Sequence, residues 1–251
     1  MGLFILNLGY AQNFWTTSYQ KNQKLTNVSA KVNLQNQTIY RLDLKALKNT
    51  LKKSPHRAKS SGNSDIVITF PNRKGEFETF RVSQTSVLHP DLAKRFPSIN
   101  SYIGVGMVDK SAVIRFSISE TDGFHGMIMR AGDQSEHIDE YSKDRTSYMV
   151  YSKDDMTGEQ EFNCELRKLG IEKETLDFDN LQQRNANDGT LRRYRLALAC
   201  TGEYAQFHIN DQDISPGATD AVKKAAVLAA MNTTMTRVNG IYETDLGVQC
   251  K

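Results

Sequence analysis

Recognisable reaction motifs are what this chain lacks. It carries no HExxH, no CxxC, no GxGxxG, no P-loop and no GxSxG. Zinc hydrolysis, dithiol redox chemistry, dinucleotide binding, phosphoryl transfer and serine hydrolysis are each left without the local pattern they rely on. Cysteine is scarce, with Cys164, Cys200 and Cys250 the only three. That excludes a disulfide-dense scaffold. An odd count also leaves at least one thiol free, paired with another chain, or paired with residues beyond this sequence. Charge of one sign is not in excess. A formal net charge of +3 over 251 residues gives no ground for nucleic acid or a membrane surface as partner. No apolar run is long enough to span a bilayer. The histidines (His56, His89, His125, His137, His208) are scattered, and no two stand four apart, the spacing that puts two metal ligands on one helix face.

What is present is an ordinary globular composition, 39% hydrophobic and 24% charged, in a chain long enough for one large or two small domains. The first twelve residues, MGLFILNLGYAQ, form a short apolar run ending in a small residue and a glutamine. They read as the back half of a secretory signal peptide cut near Ala11 or Gln12, without the usual basic start; a buried N-terminal strand is the other reading. Residues 13–35 are polar and read as irregular. A strand is expected over 38–46, turning into a short helix at 44–52, and residues 53–64 read as a basic linker loop or a protease-sensitive tip.

A dense β region follows. DIVITF (65–70) and FETFRV (77–82) flank PNRKGE as a hairpin. A helix over 90–96 stops at Pro97. Strands are expected at 101–107, 111–119, 123–130, 136–142 and 148–152, separated by Asp, Gly and Lys turns. In VIRFSIS, Ile114, Phe116 and Ile118 alternate with Val113, Arg115, Ser117 and Ser119, which predicts one buried and one solvated face. Short strands joined by short turns favour an antiparallel sheet.

Residues 153–190 are acidic and amide-rich without a sustained apolar period, and read as a linker. A second unit opens at 191. LRRYRLALAC (191–200) is apolar on both faces after Tyr194, as a central strand covered on both sides would be. TGEYAQFHINDQDISPG reads as a loop. A helix is then predicted over 218–242, with Leu228, Met231, Met235, Val238 and Tyr242 as its apolar stripe and Asn239-Gly240 at its fraying end. LGVQC (246–250) begins another strand, giving a strand–helix–strand unit. The fold class expected is α+β: a β-rich domain over 13–152, a linker over 153–190 and an α/β unit over 191–251.

Few residues suggest chemistry. His125 and His137 read as surface or turn histidines. His208, with Asp211 and Asp213, could form an oxygen-rich cation site or simply a solvated loop. Glu203 and Tyr204, just past a strand end, suit either an active-site rim or a loop cap. Cys164, in FNCEL, could ligate a metal as a silencing thiolate, form a disulfide, or be plainly buried. Cys200 reads as a small buried hydrophobe, and a Cys200–Cys250 disulfide is open if the two strands are neighbours.

LRRYRLALACTGEYAQFH, followed by AAVLAAMNTTMTRVNGIYETDLGV, closely resembles the opening of the catalytic domain in bacterial reprolysin-like zinc metallopeptidases, metzincins related to the adamalysin type. FPNRKGEFETFRV, LAKRFPSINSYIGVG, SAVIRFSIS and GFHGMIM look like the pro-region of the same secreted enzymes. The resemblance implies a secreted endopeptidase acting on protein substrates, with zinc on an HExxHxxGxxH motif whose glutamate is the general base. That motif is absent here, so no catalytic, cofactor or metal residue is assigned to any position, and no zinc is expected on this chain. What carries over is architectural: Tyr194, Leu196 and Leu198 in the first strand, Leu228, Met231, Met235 and Val238 packing the first helix, and Arg237, Asn239 and Tyr242 as anchors of its end. The function expected is therefore the N-terminal part of a metalloendopeptidase precursor, whose partner is the catalytic domain of its own or a related peptidase. The competing class is a stand-alone, pro-domain-like inhibitory module.

Overall fold

The computed structural model describes residues 11–18, 38–60, 64–155 and 188–251. They form an α+β fold built on a large mixed sheet that curls nearly into a barrel. Its strands are β1 (Gln12–Asn13), β2 (Trp15–Thr17), β3 (Thr38–Leu42), β4 (Val67–Pro71), β5 (Phe77–Gln84), β6 (Asn100–Gly106), β7 (Val113–Ile118), β8 (Phe124–Met129), β9 (Glu136–Glu140) and β10 (Ser147–Ser152). From β4 to β10 each strand is antiparallel to the one before it, as the short turns require, and β3 then pairs antiparallel with β10.

The two ends of this sheet meet through one short stretch of chain. Gln12 and Asn13 run parallel to β4, while Trp15 to Thr17 run antiparallel to β3. The expectation of irregular chain over 13–35 is thus wrong for 13–17; its remainder from 19, like residues 1–10, lies outside the described residues. The polar composition of that stretch hid its one decisive residue. Trp15 is 2% exposed and touches Phe124 and Tyr148 edge-on, with ring centroids 5.4 and 5.5 Å away.

The alternation of apolar residues puts Tyr40, Ile68, Phe70, Phe80, Ile114, Phe116, Phe124, Ile138 and Tyr148 in one core. Phe70 sits among Phe80, Phe116 and Phe124 at 5.9, 5.2 and 6.1 Å. Helix α1 (Leu44–Leu51), capped by Asp43 accepting the Ala46 N–H, adds Leu47 and Leu51 to the same core. The basic segment after it is more ordered than a linker: it holds a turn of helix, α2 (Arg57–Ser60), and His56 bridges to Gln84. Helix α3 (Pro90–Arg95) starts with proline in its first turn.

The second unit contains β11 (Arg192–Tyr194), α4 (Gly202–Asp211), α5 (Asp220–Leu246) and β12 (Val248–Cys250). β11 and β12 pair in parallel across the two helices. The stretch expected as a loop is largely α4, started by Thr201, whose hydroxyl accepts the Tyr204 N–H. α5 runs four residues past the predicted end. It stops only at Gly247, whose φ of +61° turns the chain into β12. The central-strand expectation for 191–200 also fails. Only three residues pair as strand, and Tyr194, Leu196 and Leu198 are 55%, 44% and 48% exposed. Two short strands leave the faces of β11 uncovered, whatever its composition suggests.

Trp15 is the chain's one tryptophan, so its emission reports barrel closure directly. Trp15→Ala is expected to cost about 3–5 kcal/mol in urea unfolding. A loss below about 1 kcal/mol would show that closure through residues 12–17 contributes little.

Candidate functional site

Helix α5 lies against the outer face of the barrel, chiefly over β7 and also over β6 and β8. The face it presents is not the predicted apolar stripe. Its buried residues are Ala226, Val227, Ala229, Ala230, Asn232, Thr233, Thr236, Asn239 and Gly240, mostly small or polar. Leu228, Met231 and Met235 turn instead toward a groove shared with Leu196 and Leu198, and Tyr242 is 40% exposed. Small residues let the helix approach closely: a Cβ on Gly240 would come within 2.9 Å of Arg115 Cγ and 3.0 Å of Met129 Cε. Asn239-Gly240 is thus the tightest part of the contact, not a frayed end.

The outer face of the VIRFSIS strand is correspondingly not solvated. Arg115, Ser117 and Ser119 are each buried, the first two against α5 and Ser119 within the turn to β8, where it bonds to Asp122 and Gly123. Hydroxyls and amides meet across the seam. Ser101 Oγ lies 3.1 Å from Asn232 Oδ1 and 2.8 Å from Thr236 Oγ1. Ser117 Oγ lies 2.8 Å from Thr233 Oγ1, and Thr233 donates to Asp122 Oδ2 at 2.7 Å. Buried Arg115 donates to Glu243, whose other donor is Arg57 at 2.5 Å. This last pair ties the supposed linker loop to the helix end.

A denser cluster sits beside this seam, at a cleft of about 270 Å³. Asp139 is its hub. Tyr151 donates to Oδ2 at 2.7 Å, and Arg237 donates to Oδ1 at 2.5 Å. His125 Nδ1 also lies 2.6 Å from Oδ1, while its Nε2 faces Asp122 Oδ2 at 3.6 Å. Burial alone would raise the Asp139 pKa, but Arg237 and the His125 bond outweigh it and hold the carboxyl far below its usual range. Burial likewise works against a charged His125, yet Asp122 and Asp139 lift it to about 10, so it stands as an imidazolium at neutral pH. Glu140, the next residue along β9, is pushed up to about 7 by burial, which His125 and Arg145 only partly offset. Arg237 joins helix to barrel twice over, since it also donates to the Gly126 carbonyl at 3.2 Å. With each acid facing a cation or a donor, the cluster acts as an electrostatic clamp.

The structure scatters most of the sequence candidates. His125 is a buried ion-pair partner, not a surface histidine. His137 stacks on Tyr151 at 5.5 Å, and burial, followed by Arg237, lowers its pKa. His56 accepts the Ala58 N–H, and His89 caps α3. His208 lies in α4, not a loop, with its ring 4.4 Å from that of Tyr204. It lines the cleft with Asp211, while Asp213 pairs with Lys143 at 3.7 Å. Glu203 is exposed in the first turn of α4, where a carboxylate favours the helix start. Cys200 is exposed instead of buried, and Cys200 and Cys250 are both free thiols; Cys164 lies outside the described residues. Arg237 and Asn239 do anchor the helix, the first to the barrel and the second to the backbone of Cys250. Asp122, Asp139, Arg57 and Glu243 were not singled out from sequence, and Arg115 was expected on a solvated face. The available signal was the small and polar series Ala229, Asn232/Thr233, Thr236 and Gly240, which repeats at helical spacing as regularly as the apolar stripe.

Among the described residues no group of three His, Cys, Asp or Glu side chains could hold a metal ion. No helix among them is long and apolar enough to cross a membrane. No family model matches the chain, and no curated protein matches it significantly. Among solved structures, one described as "Structure of a chaperone-substrate complex" aligns with 53% of this chain and 97% of its own, at 14% identity and a TM-score of 0.35. A likeness of that size carries no argument about fold or function.

Two outcomes test the clamp. Glu243→Ala strands the buried Arg115 charge and is expected to cost about 3–5 kcal/mol, whereas the paired replacement Arg115→Met with Glu243→Leu restores most of it. A cost near zero for the single change would show that the pair is not buried as described. The second concerns pH. A histidine raised to about 10 in the fold contributes its full stabilisation below about pH 6.5 and loses it as pH rises through 10. The gap in Tm between the wild type and His125→Gln should therefore be widest near pH 6 and close toward pH 10. A gap that stays constant over that range contradicts the assignment.

Proposed function

We propose that these 251 residues are the N-terminal portion of a secreted zinc metalloendopeptidase precursor. The barrel is its pro-region, and β11 to β12 form the opening unit of its catalytic domain, of metzincin type. The observation that carries the reading is the chemistry of the seam between them. Beside a small apolar cluster of Leu88, Ile99 and Ala229, it is built mainly from Ser101, Ser117, Asn232, Thr233 and Thr236 and from the ion pairs of Arg115, Arg237, Asp139 and Glu243. Such groups are re-solvated when the two sides part, whereas a seam of leucines would leave two sticky faces. A pro-region that must hold a catalytic helix and later leave it calls for this kind of contact. The parallel pairing of β11 and β12 across α4 and α5 further supports an α/β opening unit, and residue for residue its sequence is the part that resembles the family.

On this reading the zinc is not bound by this chain. The chain lacks HExxHxxGxxH. The role of these residues is to fold and hold. The barrel fixes α5 through the clamp, and the partner it serves is the catalytic domain of its own or a related peptidase. Protein substrates belong to the complete enzyme. The apolar run at the start fits export across the periplasm, and the secreted location is part of the same proposal.

The coding sequence downstream of codon 251 tests it. An in-frame HExxHxxGxxH is expected within about 200 codons, a typical domain length. A readable stretch of that size without the motif would remove the peptidase reading and leave the inhibitory-module alternative.

A further inference from the structure

At the α1 end the barrel opens into a cleft of about 1030 Å³. Ligand sites span roughly 300–1,000 Å³, so this one has the room. None of the residues lining it belongs to α4, α5, β11 or β12. Thr17, Thr38 and Ser152, which end β2, begin β3 and end β10, stand at the opposite end of the barrel. Gln12, where the described sheet begins, bonds to Thr50, which does not line the cleft. The floor is apolar, formed by Leu42, Leu51 and Ile118 of the barrel core. One wall is α1, on which Lys45, Lys48 and Lys52 follow one another at the spacing of a helix face. Two donors on this cleft are short of partners. The half-buried Lys48 ammonium carries three N–H groups, and its one acceptor among the described residues is the Ser119 carbonyl, 3.0 Å away. Burial lowers its pKa, and Glu120 offsets this only in part. Tyr102 is 6% exposed, with its ring stacked on Phe116 at 5.0 Å, and its hydroxyl makes no hydrogen bond among the described residues. A buried hydroxyl is normally paired, so an unpaired one lining a cleft points to an acceptor on a ligand.

We infer that this cleft binds a single carboxylate carried on an apolar tail, the chemistry of a medium-chain fatty acid. The carboxylate offers acceptors to Lys48 Nζ and to the Tyr102 hydroxyl, and the tail covers Leu42, Leu51 and Ile118. The register of β6 and β7 keeps both donors on one mouth: Tyr102 pairs with Phe116, and Ser119, which holds Lys48, follows three residues later. The charge balance selects the headgroup. Four cations and three acids line the cleft, and two of the acids are engaged. Asp43 caps α1, and Asp144 accepts from Ser142 and Thr146. Arg145 is engaged as well, with the carbonyls of Glu120 and Thr121. A rim so close to neutral suits one negative charge, and its acids repel a phosphate dianion or a polyanion. The inference rests on this cleft and not on the peptidase reading, so either can fail without the other.

The test titrates octanoate, kept below its micellar concentration, into the whole chain by calorimetry. Saturable heat from a single site is expected at submillimolar octanoate. Octanol has the tail without the charge, and acetate the charge without the tail. Each should bind about ten-fold more weakly or worse, equivalent to at least about 1.4 kcal/mol. Lys48→Met and Tyr102→Phe should each weaken octanoate about ten-fold while leaving the weak binding of octanol unchanged. That split separates a lost headgroup contact from a general disturbance of the barrel. The inference is overturned by any of four results: no saturable binding at millimolar octanoate, octanol matching octanoate, octyl phosphate binding more tightly than octanoate, or both variants binding octanoate as the wild type does. Tyr102→Phe keeps the stacked ring; if it fails to fold, Lys48→Met still decides.

Discussion

The arrangement depends on burying Arg115. An arginine in the middle of a barrel strand, with aliphatic and aromatic neighbours on either side in sequence, has to find a carboxylate or leave the sheet exposed to water. Glu243, about six turns along α5, supplies that carboxylate, with Arg57 sharing it. Once this contact is made, α5 is drawn across β7 along a defined line. The small residues at 229, 230, 233, 236 and 240 then permit the approach, and Arg237 reaches Asp139 at the far side of the seam. Position, depth and tilt of the helix follow from a few charged contacts at its C-terminal half and a smooth surface along the rest.

The barrel is stabilised differently. Its interior is a continuous cluster of aromatic and branched side chains, sealed by Trp15 where the first and last parts of the sheet meet. It has no need of α5 for its core, since the inward faces of the strands are already filled. The two parts therefore differ in emphasis: one is held by apolar burial, the other is fastened to it mostly by polar bonds, whose loss water can largely compensate, with a small apolar cluster of Leu88, Ile99 and Ala229 beside them. That contrast is the basis of the proposal that the barrel is a pro-region and α5 the beginning of the domain it accompanies.

The strands from β4 to β10 were readable as short apolar stretches separated by turn residues, with a clean period of two in VIRFSIS. The sequence was less informative about the seam, for a reason visible in Arg115, Ser117 and Ser119. Polar residues on alternate positions look the same whether they face water or a polar helix, since the period reports sidedness and not solvation. The helix misled in the opposite sense. Leu228, Met231 and Met235 form the more conspicuous stripe, yet the buried face is the one marked by alanine, threonine, asparagine and glycine. Trp15 was hidden among asparagines and threonines, because strands of two and three residues leave no period to detect. His125 and Asp139 lie fourteen residues apart on adjacent strands, and only the register of β8 and β9, in which Met127 faces His137, brings them together.

Native-state hydrogen exchange measures the central claim most directly. If the seam is a separable polar contact, the amides of α5 between Ala229 and Gly240 will exchange through an opening of clearly lower free energy than those of Phe80, Phe116 and Phe124 in the barrel. A single shared opening free energy for helix and barrel would contradict it, and would make the two parts one cooperative unit.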